Sequence, residues 1–160
     1  MKSIKYSELD ETEQKALSEA EKVLKNAYEP IFNFHVGACL ISANNELISG
    51  TNFANTAYGS SICAERAAVL RANSMGIKNF KSIVIIAKNG DNSTNEVTAP
   101  CGDCRQFLNE VADLSDTNLK VILSTTEKDK IVVTDIKELL PLAFGPKNLI
   151  IDTQKRKEAE

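Results

Sequence analysis

Two short segments constrain this chain more than anything else in it: Ile62-Cys63-Ala64-Glu65-Arg66 and Pro100-Cys101-Gly102-Asp103-Cys104. A fold that brings them together gathers three thiols and a carboxylate at one point. Three thiolates fill three corners of a tetrahedral zinc site and leave the fourth for water. Structural zinc sites are usually closed by four protein ligands, whereas catalytic sites keep one position open. Zinc with an open position lowers the pKa of its water toward neutrality. Glu65, two residues after the first cysteine, is placed to move protons rather than to bind metal. Cys63 falls at the start of one predicted helix, and Cys101 and Cys104 in the first turn of another. Residues three apart share a helix face, so this pair can hold one ion. Two helix N-termini then converge on the metal, and their partial positive charge favours thiolate over thiol. Zinc with three thiolates is net negative, which opposes ionisation of its water. Arg66 is the candidate for drawing charge off a ligand sulfur by hydrogen bonding, and Arg105 is a second.

Other uses of these cysteines have to be weighed. Cys-x-x-Cys also serves redox centres, and three cysteines plus a fourth ligand can form a structural zinc site. A redox motif leaves Cys63-Ala64-Glu65 at a helix start unexplained. A zinc ribbon normally shows two paired-ligand motifs, and this chain has one. His35, the only histidine, reads as a half-buried strand residue. Cys39 lies in Val36-Gly37-Ala38-Cys39-Leu40-Ile41 and reads as a small core hydrophobe.

The 160 residues are enough for one domain with a sizeable core. Residues 1–152 are assigned to a single domain and 153–160 to a polar C-terminal tail. Apolar residues make up 42% and charged residues 26%, an ordinary globular balance. The net charge of −3 and the lysines and arginines, scattered apart from a short cluster near the C-terminus, argue against the basic stripe expected of a nucleic-acid binder. They give no reason to expect binding to anionic membranes either. No apolar run approaches membrane-spanning length. Met1 to Tyr6 is followed by acidic residues rather than an apolar signal segment. A cytoplasmic location is therefore expected. There, Cys-x-x-Cys points to metal ligands or redox groups rather than disulfides.

The periodicity predicts a first helix over 8–28, with Ala16, Leu17, Ala20, Val23, Leu24 and Ala27 at helical spacing. Ser7 is its predicted N-cap and Pro30 its stop. Strands over 35–42 and 46–52 flank an Asn44-Asn45 hairpin turn. A helix follows over 62–75, ended by Gly76. Ser82 to Ala87 is apolar on both faces, as a central strand should be. Gly90 to Glu96 reads as a polar loop. A third helix spans 101–114. Strands over 120–124 and 131–134 are too closely spaced for a parallel crossover, so they should be antiparallel. A short helix over 136–140 ends at Pro141. This order implies an α/β fold: a mixed sheet of about five strands with helices on both faces, a three-layer α/β/α sandwich.

With these residues in view, the chain resembles the small cytidine deaminases that act on free nucleosides. Phe34-His35-Val36-Gly37-Ala38 is similar to the family's Phe-x-Val-Gly-Ala strand. Ile62 to Arg66 and Pro100 to Gln106 are similar to its two zinc motifs, and Glu138 to Pro146 to its C-terminal Glu-Leu-Leu-Pro-x-x-Phe segment. The resemblance runs from about Phe34 to Pro146. It implies the cytidine-deaminase-like sandwich, a homotetramer and one Zn2+ per subunit on Cys63, Cys101 and Cys104. It also implies hydrolytic deamination of cytidine and deoxycytidine in pyrimidine salvage, with Glu65 moving protons to N3 and the leaving amine. The Ala64 backbone and the Glu65 carboxylate would help recognise the base. Phe34 and Phe144 would pack on base and sugar, Phe144 from a neighbouring subunit.

One departure stands out. The family usually carries Asn-x-Glu-Asn after its second strand, whose first Asn and Glu hold the ribose 3′-hydroxyl. Here the segment is Asn52-Phe53-Ala54-Asn55. A hydrogen bond to a charged group contributes roughly 1.5–3 kcal/mol, so Ala54 opens an alternative. The same zinc chemistry would then act on another cytosine-like substrate: an N4-modified cytidine, a blasticidin-S-like compound, or a free base such as cytosine or isocytosine. The family's Tyr-Ser before the first strand is also replaced, by Ile31-Phe32.

Overall fold

The structure, a computed structural model, describes residues 1–151. The predicted tail over 153–160 lies outside the described residues. Seven strands form one mixed sheet: β1 (Lys2–Ile4), β2 (Phe34–Ser42), β3 (Leu47–Thr51), β4 (Phe80–Asn89), β5 (Asn92–Ser93), β6 (Lys120–Thr125) and β7 (Ile131–Asp135). Six run in the order β1-β7-β6-β4-β2-β3, and β5 folds back on β4. β4 and β6 are parallel, and the remaining pairs, the closing β6–β7 pair included, are antiparallel. The sheet is mixed as the sequence predicts, but it has seven strands rather than five. β1 is short and largely exposed, so it carries no hydrophobic alternation. β5 lies within the segment predicted as a polar loop, and its residues Asn92 and Ser93 give no strand signal either.

Helices cover both faces. α1 (Glu11–Val23) lies on one, and α2 (Ala64–Ser74), α3 (Gly102–Ser115) and the short α4 (Ile136–Leu139) on the other. Alternation along β4 decides which side chain meets which layer. Ile83 and Ile85 pack toward the α2/α3 layer, and Val84 and Ile86 toward α1. All four are at most 1% exposed, which is why this strand reads as apolar throughout. Cys39 faces α1 and is fully buried, as its sequence context implies.

α1 is shorter than its periodicity suggests. Asp10, not Ser7, is the N-cap: it accepts from the Glu13 amide at 2.8 Å, and Glu13 accepts from the Asp10 amide at 3.1 Å. This reciprocal capping box satisfies two amides that the first turn leaves unpaired. Ser7 sits in a preceding 3₁₀ turn, Tyr6–Glu8. At the other end the helix gives way to a 3₁₀ turn at Leu24–Asn26. Tyr28 has left the helix to bridge Phe53.

Two glycines let helices approach the sheet from opposite sides. A Cβ at Gly37 would lie 2.0 Å from the Ala20 carbonyl oxygen of α1. One at Gly50 would lie 2.3 Å from the Ala68 amide nitrogen and 2.6 Å from the Ala64 carbonyl oxygen. The first turns of α2, which carry the candidate site residues Glu65 and Arg66, therefore rest on β3 at backbone distance.

Candidate metal centre and active site

Cys63 is the N-cap of α2 and Cys101 the N-cap of α3. Neither sulfur caps its own helix, so both project from a positive helix end. Cys104, one turn into α3, is fully buried beneath them. The three sulfurs lie within 4.8 Å of one another, and those of Cys63 and Cys101 are 3.9 Å apart. Tetrahedral zinc with Zn–S bonds of about 2.3 Å needs sulfurs roughly 3.8 Å apart. The donor set and its spacing therefore fit zinc, and these are the three cysteines the sequence pattern named.

The thiols are electrostatically unequal. Cys63 is pulled down to about 7, chiefly by its hydrogen bond with Cys104. That same bond, together with burial, pushes Cys104 up. Glu65, on the first turn of α2, is 4% exposed. Burial holds its carboxyl above the usual carboxylate range. A carboxyl whose affinity for protons is raised by burial suits a group that accepts and returns one.

A cavity of about 410 Å³ opens beside the sulfurs. Cys63, Cys101 and Glu65 reach it from the two helix N-termini, and Phe34, Asn52 and Ala54 line it from the sheet. Ala64 is fully buried and is not among its lining residues. Phe144 is 59% exposed and lies outside the cavity of its own chain. Its carbonyl is held by Gln106 at 2.8 Å. Asn52 has a structural duty: it accepts from the Val36 amide at 2.8 Å and donates to the Phe34 carbonyl at 2.9 Å. It thereby straps the end of β3 to the start of β2.

The arginines differ from their sequence-based expectation in how they act. Among the described residues, Arg66 makes no hydrogen bond to a cysteine sulfur. Its guanidinium lies 5.9 Å from the Phe107 ring centre, and its charge lowers Cys63 from a distance. Arg105 donates to the carbonyls of Pro100 at 2.8 Å and Leu139 at 3.2 Å, which ties the start of α3 to the end of α4. Sequence reasoning also passed over Glu29, whose side chain lines the cavity. The available signal was an acidic residue in the otherwise apolar run Tyr28-Glu29-Pro30-Ile31-Phe32.

Residues 10–117 match the model of the cytidine and deoxycytidylate deaminase zinc-binding region. The cytidine deaminase of Sporosarcina psychrophila is 34% identical over 136 residues, covering 85% of this chain and 93% of the relative. That of Halalkalibacterium halodurans is 35% identical over 136 residues, covering 85% and 96%. Among solved structures, the cytidine deaminase of Burkholderia pseudomallei superposes with a TM-score of 0.72 at 33% identity, covering 81% of this chain and 97% of its own. That of Mycobacterium tuberculosis gives 0.68 at 28%, covering 85% and 99%. The matched span contains both zinc motifs and the strands that face them, and so the chain belongs to the family defined by the cytidine and deoxycytidylate deaminase zinc-binding region.

Proposed function

We propose that this chain converts cytidine and deoxycytidine to uridine and deoxyuridine with release of ammonia. The observation that carries this reading is a buried carboxyl, Glu65, facing one cavity together with a three-sulfur zinc site. When bound, zinc supplies a Lewis acid that makes water a nucleophile near neutral pH. Glu65 accepts one proton of the attacking water and delivers it to N3 of the base. A C4–O bond forms and the C4–N bond breaks. The second water proton passes through the same carboxyl to the departing amine, giving ammonia and leaving a C4 carbonyl. The raised affinity of Glu65 for protons, caused by burial, suits both transfers.

In this reading Phe34 packs against the nucleoside and the Ala64 backbone meets the base edge. Arg66 biases the sulfurs by charge. Phe144 serves the cavity of a neighbouring subunit in a homotetramer. Residues 1–152 work as one domain with a free nucleoside as substrate. A net charge of −3 supports a small-molecule substrate over a polynucleotide. Among the described residues no helix is long and apolar enough to cross a membrane, and a cytoplasmic salvage role fits a free-nucleoside substrate. Other cytosine-like compounds have less support, since the relatives named above are cytidine deaminases.

The test is ammonia release by the zinc-loaded protein on cytidine, deoxycytidine, N4-substituted cytidines, cytosine and isocytosine. Turnover of the first two is expected, and turnover confined to the others would replace this reading with the alternative substrates. Glu65→Ala should retain zinc and fold while losing at least about 10²–10⁴ in kcat. Substantial remaining activity would remove Glu65 from proton transfer.

A further inference from the structure

Among the described residues two carboxylates line the cavity, Glu65 and Glu29. The mechanism above uses only the first. We propose that Glu29 is the residue that binds a sugar hydroxyl of the nucleoside, and that it does so from the segment ahead of β2 rather than from the end of β3. This assignment rests on the nucleoside-deaminase reading.

Placement is set by a short parallel bridge between Tyr28 and Phe53. The Tyr28 amide donates to the Asn52 carbonyl at 3.2 Å, and the Ala54 amide donates to the Tyr28 carbonyl at 2.7 Å. The Tyr28 and Phe53 rings stack with centres 4.8 Å apart. Side chains alternate along extended chain, so Glu29, Asn52 and Ala54 fall away from that stack. All three line the cavity, and Phe53 borders it as well.

The carboxylate is aimed. Its Oε1 accepts from the amides of Ile31 at 3.2 Å and Phe32 at 3.0 Å, which fixes the side chain on its own turn. Its Oε2 has one long contact, 3.4 Å from Asn52 Nδ2. An ionised carboxyl offers about four acceptor sites, so Oε2 retains capacity for a donor from the cavity. Around it the wall is largely apolar, formed in part by Phe34, Val36, Ala54 and Ile62. Glu65 and the sulfurs enter from the helix N-termini, whereas Glu29 enters from the sheet side. A ligand that satisfies both needs a polar ring edge for one and a hydroxyl donor for the other. Ala54 is then no gap in recognition: its small side chain leaves room beside the Glu29 carboxylate.

The experiment compares wild type, Glu29→Gln and Glu29→Ala in the zinc-loaded full chain. It measures KM and kcat for cytidine and for its 2′-, 3′- and 5′-deoxy analogues, and the affinity for uridine by calorimetry. Glu29→Gln keeps an oxygen for the Ile31–Phe32 turn and removes the charge, so KM should rise about fivefold. Glu29→Ala should raise KM and weaken uridine binding by about ten- to a hundredfold, with kcat little changed. The analogue lacking the bound hydroxyl should lose its sensitivity to both variants, which a general loosening of the turn would not produce. Cytidine KM and uridine affinity that ignore both variants would overturn the assignment, as would equal sensitivity in every analogue. Wild type that neither deaminates cytidine nor binds uridine would instead overturn the activity itself, and the Glu29 assignment with it.

Discussion

Each of the four cysteines has a reactivity set by its place. Cys39 is fully buried against α1, and burial raises its thiol from 9.0 to about 12. Only the thiolate reacts with disulfide reagents, so Cys39 should stay silent at pH 7–9 while the protein is folded. The zinc-loaded chain should therefore show no rapidly titrating thiol, and a chelator should release three. A fourth should appear only on unfolding. The sign of the linked stability follows: a thiol whose folded pKa lies above its unfolded value stabilises the fold fully below pH 9 and loses that contribution as pH rises toward 12. A rapid fourth thiol in the folded, chelated protein would contradict the burial of Cys39. The zinc cysteines were legible in the sequence because residue type and spacing alone carry the chemistry. Glu29 was not, because its place in the cavity depends on a bridge between Tyr28 and Phe53 that no local pattern announces. Arg66 and Arg105 show the same limit: adjacency to a ligand named them, but side-chain direction decided what they touch.

At the scale of elements, the site depends on how closely α2 can lie on β3. Gly50 permits the contact, and any Cβ there would meet the α2 backbone at Ala64 and Ala68. Backbone on both sides cannot rotate away, so Gly50→Ala should push the first turns of α2 off the sheet. That displaces Cys63 and Glu65 together. A loss of about 1–3 kcal/mol in stability is expected from overpacking, with weaker zinc retention and a drop in kcat as separate readouts. Full zinc affinity and activity in this variant would show that α2 has slack the packing does not reveal. Sequence patterns located β2, β3, β4, β6, β7 and all four helices, because each contributes buried apolar side chains to the core. They failed where tertiary contacts override local preference. β1 is a short edge strand with two exposed residues, β5 is a polar hairpin return, and the end of α1 unwinds so that Tyr28 can reach Phe53.

At the scale of the whole molecule, the described chain is incomplete as an apolar surface. Around the cavity Phe32 is 70% and Phe53 52% exposed, and Tyr28 and Tyr58 are similarly open. On the C-terminal segment Phe144 is 59%, Leu142 104% and Ile150 95% exposed. Hydrogen bonds from Gln106 and Asn109 to the Phe144 carbonyl anchor that segment to α3, while the Phe144 ring remains largely exposed. Exposed aromatic groups in two places on one chain suit an assembly in which each site is completed by another copy. Light scattering should therefore give a mass above that of one chain, and four chains if the proposed homotetramer is correct. Phe144→Ala should lower kcat/KM for cytidine by roughly tenfold, in line with removal of a well-packed aromatic contact. Mixing decides whether the contact crosses subunits. Glu65→Ala subunits lack the proposed proton carrier but keep Phe144, and Phe144→Ala subunits keep Glu65. Refolded together, the mixture should exceed the activity of Phe144→Ala alone per intact Glu65, because some of those sites now receive Phe144 from a neighbour. Activity that never rises above the Phe144→Ala value would confine Phe144 to its own chain, where it lies outside the cavity, and would remove it from the site.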